Sequence, residues 1–507
     1  MYDKSIIASG HELVSEAAAR VLEQGGNAFD AVVAAGFASS VVEPALTSLG
    51  GGGLLLGHSA AIGQDLFFDF FVDTPGKDSS VSLDEPHFFP VTVSFSGSDQ
   101  DFNVGMGSVA VPGTLKGLLH IHERLGHMNL RDVMTPAIEY ARGHQVNEQQ
   151  GTFLHLLKPI MKLMEPGRAL YQPEGQYLVP GATLVNSDLA QFLEQIVLDR
   201  GDSFYLGDIS KKIHEEMVNG DGLLTRKDLA DYRVYERKPL TVNYRGNRFV
   251  TASTPSMGGP LIGLSLGLRA KADPPAYDWG TIEHLTRLTG LMKEVEKLRS
   301  EGVSSAETLS AFLEDSDRVK VSEDSIRLFP RGTTHVSIAD KHGNCASMTS
   351  SNGEGSGYFA PGTGVMLNNM MGEDDLHPDG FHSSPPGLRV GSMMSPSLLV
   401  RDGEVRLVIG SGGSKRIRTA ISQVLSQVVD FNRPLQKAVD APRLYLDGDL
   451  LQVEPGFAPE VIKGLSEIIE VNQWQDKDVY FGGVHAVVPG KEGAGDGRRG
   501  GIVRIVS

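Results

Sequence analysis

Apolar residues near the start of the chain recur at helical spacing. Between residues 13 and 22 they lie three or four positions apart, and the run stops at Gly25-Gly26. Ser9 and Glu12 precede it at the spacing of a capping box, in which a serine and an acidic side chain close the first turn of a helix. The pattern predicts a first amphipathic helix that begins after Ser9.

A second apolar run follows, and it has no polar face. It starts at Asn27, a residue type that caps helices, and it ends before Pro44, which a helix cannot pass without disruption. Because the segment is apolar on all sides, we expect a helix that is buried between layers of the fold.

The middle of the chain alternates between two kinds of pattern. Short apolar runs indicate strands, and longer amphipathic segments indicate helices. There is no regular repeat, and the polar stretch 301–332 predicts a surface helix that leads into a linker. The whole is typical of a mixed α/β protein. The strand-like runs are Leu54–Leu56, Leu66–Phe71 and Ser108–Val111, and the helical segments are 114–125, 130–142, 187–199 and 283–300.

Beyond residue 332 the sequence is dominated by strands and tight turns. Residues 333–338 alternate in character, and the turn Lys341-His342-Gly343 leads into the run from Cys345 to Ser351, as in a β-hairpin. Folding about this turn pairs residues whose numbers sum to roughly 685. We therefore expect Thr333 opposite Ser351 or Asn352.

A second hairpin is predicted where Asp402-Gly403 separates the runs Ser397–Val400 and Glu404–Ile409, since Asp-Gly is a strong hairpin turn signal. The paired numbers sum to about 805, which places Ser392–Ser395 beside Gly410–Gly413. A segment rich in serine would thus lie next to one rich in glycine.

The turn Gly412-Gly413-Ser414 precedes an amphipathic helix, because apolar residues recur at helical spacing from Ile417 to Val428. The unpaired N–H groups and the dipole at a helix N-terminus favour negative charge. The turn can therefore serve as an oxyanion hole. A phosphate-binding turn and a plain helix cap are the alternatives that the pattern leaves open.

The segment Gly332-Thr333-Thr334-His335 contains the candidate nucleophile, Thr333. A threonine hydroxyl is a weak nucleophile unless a base adjoins it. A threonine that becomes an N-terminus carries its own base, because the pKa of an α-amine lies near neutrality. This chemistry requires that the chain be cut before Thr333. Without that cut, the segment is an ordinary start of a strand.

Composition narrows the classes of function. The chain has 507 residues and a formal net charge of -17, with no run rich in Lys or Arg, so nucleic-acid binding is not expected. The single cysteine, Cys345, excludes an intrachain disulfide and suits a reducing compartment. No stretch approaches the roughly eighteen apolar residues of a membrane span, and no pattern of an export signal opens the sequence. We expect a cytoplasmic protein.

Metal and cofactor chemistry is not expected. His120, His122 and His127 are spaced so that they do not share one face of a helix. Gly50–Gly53 lacks the Gly-Lys-Ser/Thr that follows in a phosphate loop, so it indicates close backbone packing. Cys345 lies inside the first hairpin, where it is interpreted as a small strand residue.

Segments from both halves of the chain resemble the gamma-glutamyltranspeptidase family over nearly the full length. They occur in the family's order, and it is this combination that is specific. The segments are Glu23–Ala31, Leu49–Gly53, Val111–Thr114, Thr333–Ser337, Asp340–Asn344, Leu367–Asn369, Met394–Pro396 and Gly410–Ser414.

The resemblance implies an α/β protein with the four-layer αββα sandwich of the N-terminal-nucleophile hydrolases. It further implies a precursor that is cut between Gly332 and Thr333. The large subunit would be 1–332 and the small subunit 333–507, and together they would form one αββα unit. Thr333 would be both the site of cleavage and the catalytic nucleophile.

The same resemblance implies the groups around the nucleophile. A second, assisting hydroxyl falls at Ser351, or at Ser350 if a gap is placed earlier, and the neighbouring Asn352 would bind substrate. The backbone N–H groups of Gly413 and Ser414 would hold the oxyanion. The family has glycine at the second position, but a main-chain N–H from serine serves equally if its backbone angles permit.

Three positions that recognise a glutamyl group in the family differ here. Phe71 stands where an arginine pairs with the substrate α-carboxylate, so a bidentate ionic contact is lost. Met370 replaces a glutamine, and Met393 replaces one of two serines beside the retained Ser392. Such a pocket suits an apolar or smaller acyl group, or a glutamyl group held in another way.

The acid that holds the substrate amine in the family falls at Glu373, or at Asp374 or Asp375 if the loop shifts. A solvated acidic loop is the alternative interpretation. Lys77 or Arg389 could take the place of the missing arginine. Without a replacement, the lost contact costs about 2–4 kcal/mol of substrate binding.

The sequence therefore predicts an N-terminal-threonine amide hydrolase or acyltransferase that acts through an acyl-Thr333 intermediate. Two substrate classes are compatible with it, namely gamma-glutamyl compounds such as glutathione and the non-glutamyl amides of an amidase or acylase. A third hypothesis is an unprocessed, non-catalytic protein that binds a small acid or a partner protein. The expected partners are a small amide substrate and the two subunits of the same precursor, and a higher oligomer is left open.

Overall fold

The computed structural model describes residues 2–78, 85–95, 98–314, 332–373, 376–377 and 380–507. Helices and strands alternate through this part of the chain. The helices are α1 Glu12–Glu23, α2 Ala28–Val42, α3 Thr114–Leu125, α4 Leu130–Arg142, α5 Glu148–Leu156, α6 Lys158–Met161, α7 Glu165–Tyr171, α8 Ser187–Asp199, α9 Asp202–Tyr205, α10 Asp208–Asn219, α11 Arg226–Asp231, α12 Gly258–Lys271, α13 Ile282–Ser300, α14 Ala306–Glu314, α15 Arg416–Val429, α16 Leu435–Asp440 and α17 Pro459–Ser466. The strands are β1 Ser5–Ser9, β2 Gly52–Ser59, β3 Gln64–Phe70, β4 Phe89–Phe95, β5 Ser98–Val104, β6 His144–Gln145, β7 Thr183–Leu184, β8 Tyr235–Arg237, β9 Leu240–Tyr244, β10 Asn247–Thr251, β11 Thr334–Ala339, β12 Cys345–Ser351, β13 Phe359–Ala360, β14 Val365–Met366, β15 Ser397–Arg401, β16 Glu404–Gly412, β17 Leu444–Asp447, β18 Leu450–Val453, β19 Glu470–Gln473, β20 Gly483–Val488, β21 Glu492–Ala494 and β22 Ile502–Val506.

Two large antiparallel sheets form the centre of the molecule. One has the strand order β22-β1-β11-β12-β2-β3-β8, and the other has the order β21-β20-β16-β15-β10-β9. In the first sheet, β1 pairs with β11 on one side and with β22 on the other. Strands from the start, the middle and the end of the chain therefore meet beside the predicted nucleophile.

The first sheet is buried on both faces. Ile7 of β1 packs into a core shared with α1, α2, α3, α4 and α8, whereas its neighbours Ile6 and Ala8 face the other sheet. In β2, Leu55 likewise packs against the helices, whereas its neighbours Leu54 and Leu56 face the other sheet. Since successive side chains on a strand point to opposite faces, the unbroken apolar runs of these strands reflect burial on both sides.

The second sheet is covered on its outer side by helices α12 and α15. Ile262 of α12 and Ile421 of α15 belong to the same core as Leu398 and Val408 of the sheet. The layers therefore run helix, sheet, sheet, helix, which is the αββα sandwich expected from the sequence.

The starts of the first two helices contrast with each other. Asn27 caps α2 as predicted, because it accepts from the N–H of Asp30 at 2.9 Å while Asp30 accepts from the N–H of Asn27 at 3.0 Å. Ser9 does not cap α1. It ends β1, where its backbone pairs with β11 and β22, and the cap is His11, whose Nδ1 accepts from the N–H of Leu13 at 3.1 Å.

In the middle of the chain the predicted amphipathic segments form α3, α4, α8 and α13, and the first two strand-like runs lie in β2 and β3. The third predicted strand, Ser108–Val111, is wrong. Met106–Ser108 is a 3₁₀ turn that the Ser108 hydroxyl closes on the Gly105 carbonyl at 2.7 Å, and Val111 makes a single bridge to Asp73. The predicted surface helix after residue 300 is α14, and the linker predicted up to residue 332 lies mostly outside the described residues.

Both predicted hairpins are confirmed. In the first, β11 pairs with β12 so that Thr334 faces Ser350, and the next pair in that register is Thr333 and Ser351. In the second, β15 pairs with β16 from Arg401 and Glu404 as far as Ser397.

The second ladder ends there, so it does not extend to the Ser392–Ser395 segment as predicted. Gly410–Gly412 pair only with β20, on the other side of β16, because β15 begins at Ser397, directly after Pro396, which has no N–H to donate. Ser392 forms a bridge with Ser256 outside the ladder.

Candidate active site

The predicted nucleophile lies at the start of strand β11, where the first sheet faces the second. Thr333 directly precedes β11 and is buried. Its hydroxyl lies 3.5 Å from that of Ser351 on β12, which is long for a hydrogen bond between hydroxyls. The hairpin register thus brings together two hydroxyl groups that are 18 positions apart in the sequence.

The Ser351 hydroxyl makes a shorter contact with the bond that is predicted to break. Its Oγ donates to the carbonyl oxygen of Gly332 at 2.6 Å, and it accepts from the N–H of Gly353 at 3.1 Å. A donor on a carbonyl oxygen stabilises the negative charge that develops there when the carbonyl carbon is attacked. Ser351 therefore polarises the carbonyl that directly precedes Thr333.

Ser350, the alternative position for the assisting hydroxyl, lies differently. It faces Thr334 rather than Thr333 in the strand register. Its hydroxyl is buried and finds no hydrogen-bond partner among the described residues. The geometry therefore favours Ser351 over Ser350.

The predicted oxyanion turn packs directly against Thr333. A side chain at Gly412 would collide with the carbonyl oxygen of Thr333. Gly413 follows with φ 117° and Ser414 with φ 53°, and α15 begins two residues later at Arg416. Ser414 therefore adopts the left-handed conformation that glycine takes more easily, at a cost of roughly 1–2 kcal/mol. The backbone angles do permit serine at this position.

The predicted substrate-binding residues Asn352 and Glu373 lie at the turn that follows Ser351. Asn352 follows Ser351, and its buried Oδ1 has no hydrogen-bond partner among the residues that the structure describes. A side chain at Gly353 would collide with the carboxylate of Glu373 and with the side chain of Asn369. The Glu373 carboxylate thus lies next to the Ser351–Gly353 turn. Asp374 and Asp375, the alternatives to Glu373, lie outside the described residues.

The residues that replace the family's glutamyl-binding groups are packed into the core. Phe71 and Met370 are both at most 2% exposed, and they share the core between the sheets with Val390 and Met394. Met393 is also buried, beside Ser392, whose hydroxyl accepts from the N–H of Met394 at 3.1 Å. This side of the site is therefore filled by apolar side chains.

Arg389 is one of the two candidate replacements for the missing arginine. Its guanidinium group pairs with other side chains inside the protein. Its Nε lies 3.4 Å from Asp69 and 3.2 Å from Asp73, and its guanidinium donates to the hydroxyl of Tyr232 at 2.8 Å and to the carbonyl of Phe71. Its side chain is 6% exposed. Burial raises the pKa of Asp73 to about 6, although Arg389 opposes the rise.

This ion cluster beneath Phe71 already balances its own charges, because Asp69 also pairs with Arg237 at 2.8 Å. Lys77, the other candidate, is half-buried, and its side chain lies beside Gly387. A substrate carboxylate at Phe71 would therefore have to compete with two aspartates for Arg389.

Two charged residues near the nucleophile were missed by the sequence analysis. Arg499 donates to the carbonyl of Thr333 at 3.2 Å, and its guanidinium lies against the Gly412-Gly413 turn. Burial lowers the pKa of Arg499 to about 10, and the neighbouring Arg416 adds to this. The available signal was the pair of adjacent arginines, 498 and 499, in the glycine-rich stretch 490–501.

The second missed residue is Glu43, which ends the apolar helix α2. It is 1% exposed, and the hydroxyl of Thr334 donates to its carboxylate at 3.0 Å. Burial raises the pKa of Glu43 to about 7, against the smaller lowering effects of Thr334 and Arg499. An acidic residue at the end of an all-apolar helix was a signal that it needed a buried partner.

The histidines that the sequence offered as weak candidates for a metal site form hydrogen bonds within the protein. His120 pairs with Glu236 and His122 with the carbonyl of Met128, and within the described ranges no cluster of three His, Cys, Asp or Glu could hold a metal ion. Burial raises the pKa of the Cys345 thiol in β12. Among all the residues that the structure describes, no helix is long and apolar enough to cross a membrane.

Comparison with solved structures defines the class of fold. The chain superposes on a cephalosporin acylase from Bacillus halodurans with a TM-score of 0.82, covering 99% of this chain and 96% of the acylase at 22% sequence identity. The two proteins therefore share the αββα fold.

Comparison of sequences gives the family. The family model for gamma-glutamyltranspeptidase matches residues 14–504, and the chain belongs to this family of enzymes. A glutathione hydrolase proenzyme from Pseudomonas aeruginosa is 31% identical over 549 aligned positions, which cover 99% of this chain and 95% of the relative. An acylase ACY 1 proenzyme from Pseudomonas sp. (strain V22) is 30% identical over 483 positions, which cover 91% and 86%.

Proposed function

We propose that this protein is a self-cleaving amide hydrolase whose nucleophile is Thr333 and whose acyl pocket does not hold a substrate α-carboxylate. One observation carries the first part, namely the 2.6 Å hydrogen bond from Ser351 to the Gly332 carbonyl beside the Thr333 hydroxyl. The second part rests on the commitment of Arg389 to Asp69 and Asp73.

Cleavage begins when the Thr333 Oγ attacks the carbonyl carbon of Gly332. The negative charge that forms on the carbonyl oxygen is held by Ser351. The C–N bond then breaks as the Thr333 nitrogen takes up the proton that Oγ has lost, and an ester between Gly332 and the Thr333 Oγ remains. Water hydrolyses this ester, which frees the Gly332 carboxylate and the Thr333 amine and divides the chain into 1–332 and 333–507.

The mature site then turns over substrate in two steps. The freed α-amine accepts the Oγ proton as Oγ attacks the substrate amide, and it passes the proton to the departing amine. The N–H groups of Gly413 and Ser414 stabilise the oxyanion in each step. Water, or an acceptor amine, releases the acyl group from Thr333. An α-amine has a pKa near 8, so it is partly neutral at pH 7 and can act as this base.

The acyl group that fits best is apolar or small. Phe71, Met370 and Met393 are buried where a charged substrate group would need donors, and an ionised carboxylate is costly to bury without them. A relative named as an acylase is compatible with this interpretation. We therefore favour a non-glutamyl amide as the substrate.

A matched pair of anilides tests this choice. Butyryl and gamma-glutamyl 4-nitroanilide have the same leaving group and the same chain of four carbons up to the amine-bearing position. We expect kcat/KM for the butyryl compound to be at least tenfold higher, because the missing arginine contact is worth about 2–4 kcal/mol. Equal or better turnover of the gamma-glutamyl compound would show that the acyl assignment is wrong, while leaving the nucleophile untouched.

One observation favours gamma-glutamyl transfer or hydrolysis as a second candidate. The Glu373 carboxylate lies next to the Ser351–Gly353 turn, where an acid can hold an ammonium group. A relative named as a glutathione hydrolase is compatible with that function. Under this candidate Glu373→Gln would lower kcat/KM for gamma-glutamyl anilide and leave that for butyryl anilide unchanged.

A further inference from the structure

The start of strand β11 becomes a free chain end once the bond before Thr333 is cut. Its pairing in the sheet is one-sided there, because the ladder with β12 begins at Thr334 whereas the ladder with β1 reaches only Val336. The first residues of a chain are poorly ordered unless other groups tie them down. The mature nucleophile therefore needs contacts beyond the sheet to stay in place.

The uncut chain has a tether at this point that cleavage removes. The Gly332 carbonyl accepts from Ser351 at 2.6 Å. A side chain at Gly332 would collide with the carbonyl oxygens of Gly353 and Ala45, so this residue is enclosed. Through the peptide bond it also holds Thr333. After cleavage that covalent link is lost, and contacts downstream of the cut have to position the nucleophile.

One downstream contact joins Thr334 to the end of helix α2. The Thr334 hydroxyl donates to the carboxylate of Glu43, whose two oxygens lie 3.0 and 3.2 Å away. Both side chains are buried, and a hydrogen bond inside a protein is electrostatically stronger than one in water. An added Cβ at Gly10 would lie 3.3 Å from the Glu43 carboxylate, so the chain that follows β1 packs closely over this contact.

Another downstream contact joins Thr333 to the C-terminal part of the chain. Nη1 of Arg499 donates to the Thr333 carbonyl at 3.2 Å, and Nη2 donates to the Val479 carbonyl at 3.4 Å. The stem of Arg499 lies against Gly483, where a side chain would collide with its Cγ and Cδ. An added Cβ at Gly412 would lie 3.4 Å from Nη1. Arg499 therefore spans the nucleophile and the oxyanion turn.

Arg499 is itself held in place by a buried ion cluster. It ends a short 3₁₀ turn that Asp496 caps, since the Asp496 carboxylate accepts from the N–H of Arg498 at 3.1 Å. That carboxylate also pairs with Arg443 at 2.6 Å and with the Arg498 guanidinium at 3.1 Å. These bonds do not involve the residues next to the cut. The donor to the Thr333 carbonyl is therefore held in place independently of cleavage.

We propose that Glu43 and Arg499 are positioning residues that dock the new chain end at Thr333 after self-cleavage. The inference rests on the function proposed above, because it requires the cut before Thr333. Neither contact uses the Thr333 hydroxyl or its amine, so both groups stay available for the reaction. Since a misplacement of about 1 Å can cost about 10²-fold in rate, loss of a contact should lower turnover far more than it slows cleavage, during which Gly332 is still attached.

A matched set of threonine variants tests the contact with Glu43. Thr334→Val removes the hydroxyl and keeps the shape of the side chain, Thr334→Ser keeps the hydroxyl, and Thr241→Val on the exposed face of β9 is the control. Pulse-labelling on a denaturing gel gives the cleavage rate. Turnover is kcat/KM of fully cleaved protein for whichever of the two anilides the original protein hydrolyses faster.

The expected result is a split between the two rates. Thr334→Val should cleave within about threefold of the original protein and lose about tenfold or more in kcat/KM. Thr334→Ser and Thr241→Val should retain both rates. A side chain that only stabilises the fold would give no such split between cleavage and turnover.

A pair of arginine variants tests the contact with the Thr333 carbonyl. Arg499→Met removes the donor, and Arg499→Lys keeps a charged donor. We expect kcat/KM of Arg499→Met to be at least tenfold below that of Arg499→Lys, with similar cleavage rates. Urea denaturation shows whether Arg499→Met folds, and if it does not, the Thr334 variants decide.

A chemical probe measures the docking without relying on activity. Periodate cleaves the Cα–Cβ bond of an N-terminal threonine whose amine and hydroxyl are both accessible. The loss of acetaldehyde then appears in the mass of the fragment 333–507. We expect Thr333 to be oxidised at least tenfold faster in Thr334→Val than in the original protein or in Thr334→Ser.

The outcomes separate this inference from the proposed function. The original protein is measured first, and if it stays intact and inactive, the function proposed above is wrong and the docking role with it. If the original protein is cleaved and active, the docking role alone is overturned by either of two results. One is that Thr334→Val loses cleavage and turnover in the same proportion, and the other is that its turnover or its oxidation rate is unchanged.

Discussion

Two sides of the candidate active site are buried to a similar degree, yet their composition is opposite. The nucleophile side, around Thr333 and Ser351, presents hydroxyls, an amide and the main chain of a glycine turn. The acyl side, around Phe71 and Met370, is packed with apolar side chains above a closed ion cluster. The first side matches what the family resemblance implies, and the second departs from it.

The difference has a physical origin. The nucleophile side is set by strand register and by backbone conformation, so several residues would have to change together to alter it. The acyl side depends on single side chains, and one substitution there removes a contact without disturbing a strand. The chemistry of an enzyme can therefore persist while its specificity changes.

The largest expected effect tests the closed ion cluster. Arg389→Met should lower the free energy of unfolding by about 3–5 kcal/mol, because Asp69 and Asp73 stay buried while the guanidinium group that pairs with them is removed. Urea denaturation measures this. Arg406→Met is the control, since the Arg406 side chain is 49% exposed in its pair with Glu404, and it should change stability by less than about 1 kcal/mol.

If Arg389 instead binds the substrate carboxylate, the same variant gives another result. Stability would stay within about 1 kcal/mol of the original, and kcat/KM for gamma-glutamyl anilide would fall while that for butyryl anilide would not. This outcome would remove the contrast between the two sides of the site.

The next effect concerns the nucleophile side. Ser351→Ala removes the donor to the Gly332 carbonyl and should slow cleavage of the chain by about 10²-fold or more, the usual loss for one oxyanion donor. Pulse-labelled protein on a denaturing gel gives the rate. Ser350→Ala should cleave at a rate within about twofold of the original, because that hydroxyl makes no hydrogen bond with the described residues. Equal slowing in both variants would contradict the assignment of Ser351.

A third prediction uses the titration of Glu43. Its pKa is raised from the ordinary 4.5 to about 7 by burial. Between these values the folded protein holds a proton that the unfolded chain has lost, so stability falls as the pH rises from about 4.5 to about 7. The loss is on the order of 3 kcal/mol, at 1.36 kcal/mol per pKa unit.

The difference between two proteins isolates this effect from other titrating groups. Glu43→Gln cannot lose a proton, and it keeps an oxygen that can accept from Thr334. The stability of the variant relative to the original protein should therefore increase between pH 5 and pH 7.5. Urea denaturation at the two pH values measures it, and a difference that does not change with pH would show that Glu43 is already ionised at pH 5.

The smallest effect concerns the oxyanion turn. Ser414→Gly relieves a left-handed backbone conformation and should raise the free energy of unfolding by up to about 1 kcal/mol. Turnover should stay within about twofold, because the main-chain N–H is the group that acts. Ser414→Ala keeps the strained conformation and serves as the control. A large loss of turnover in Ser414→Gly would mean that the side chain takes part.

Much of the nucleophile side could be predicted from the sequence. The two hairpins follow from period-two alternation around recognisable turns, and the register of the first places Thr333 opposite Ser351 or Asn352 without knowledge of the fold. The αββα layers were implied by the family resemblance, whereas the oxyanion turn was one of three interpretations that the glycine turn before an amphipathic helix left open. The prediction that Ser9 caps α1 was wrong because Ser9 belongs to strand β1. Sequence spacing alone does not show whether such a residue ends a strand or begins a helix.

The contacts that were missed are those between distant parts of the chain. Glu43 and Thr334 are 291 positions apart, and Arg499 and Thr333 are 166 apart, so no local pattern connects them. Arg389 was noticed as a cation near the acyl side. Only the packing of β3 and its neighbours shows that it points toward Asp69 and Asp73 rather than toward a substrate.

The account depends most on the bond between Gly332 and Thr333, and denaturing mass spectrometry of the purified protein tests it directly. The prediction is two fragments that correspond to residues 1–332 and 333–507, with a single intact chain and no amide hydrolysis for Thr333→Ala. An unaltered protein that hydrolyses amides while its chain is still intact would contradict the account, since Thr333 would then have no free amine to act as its base.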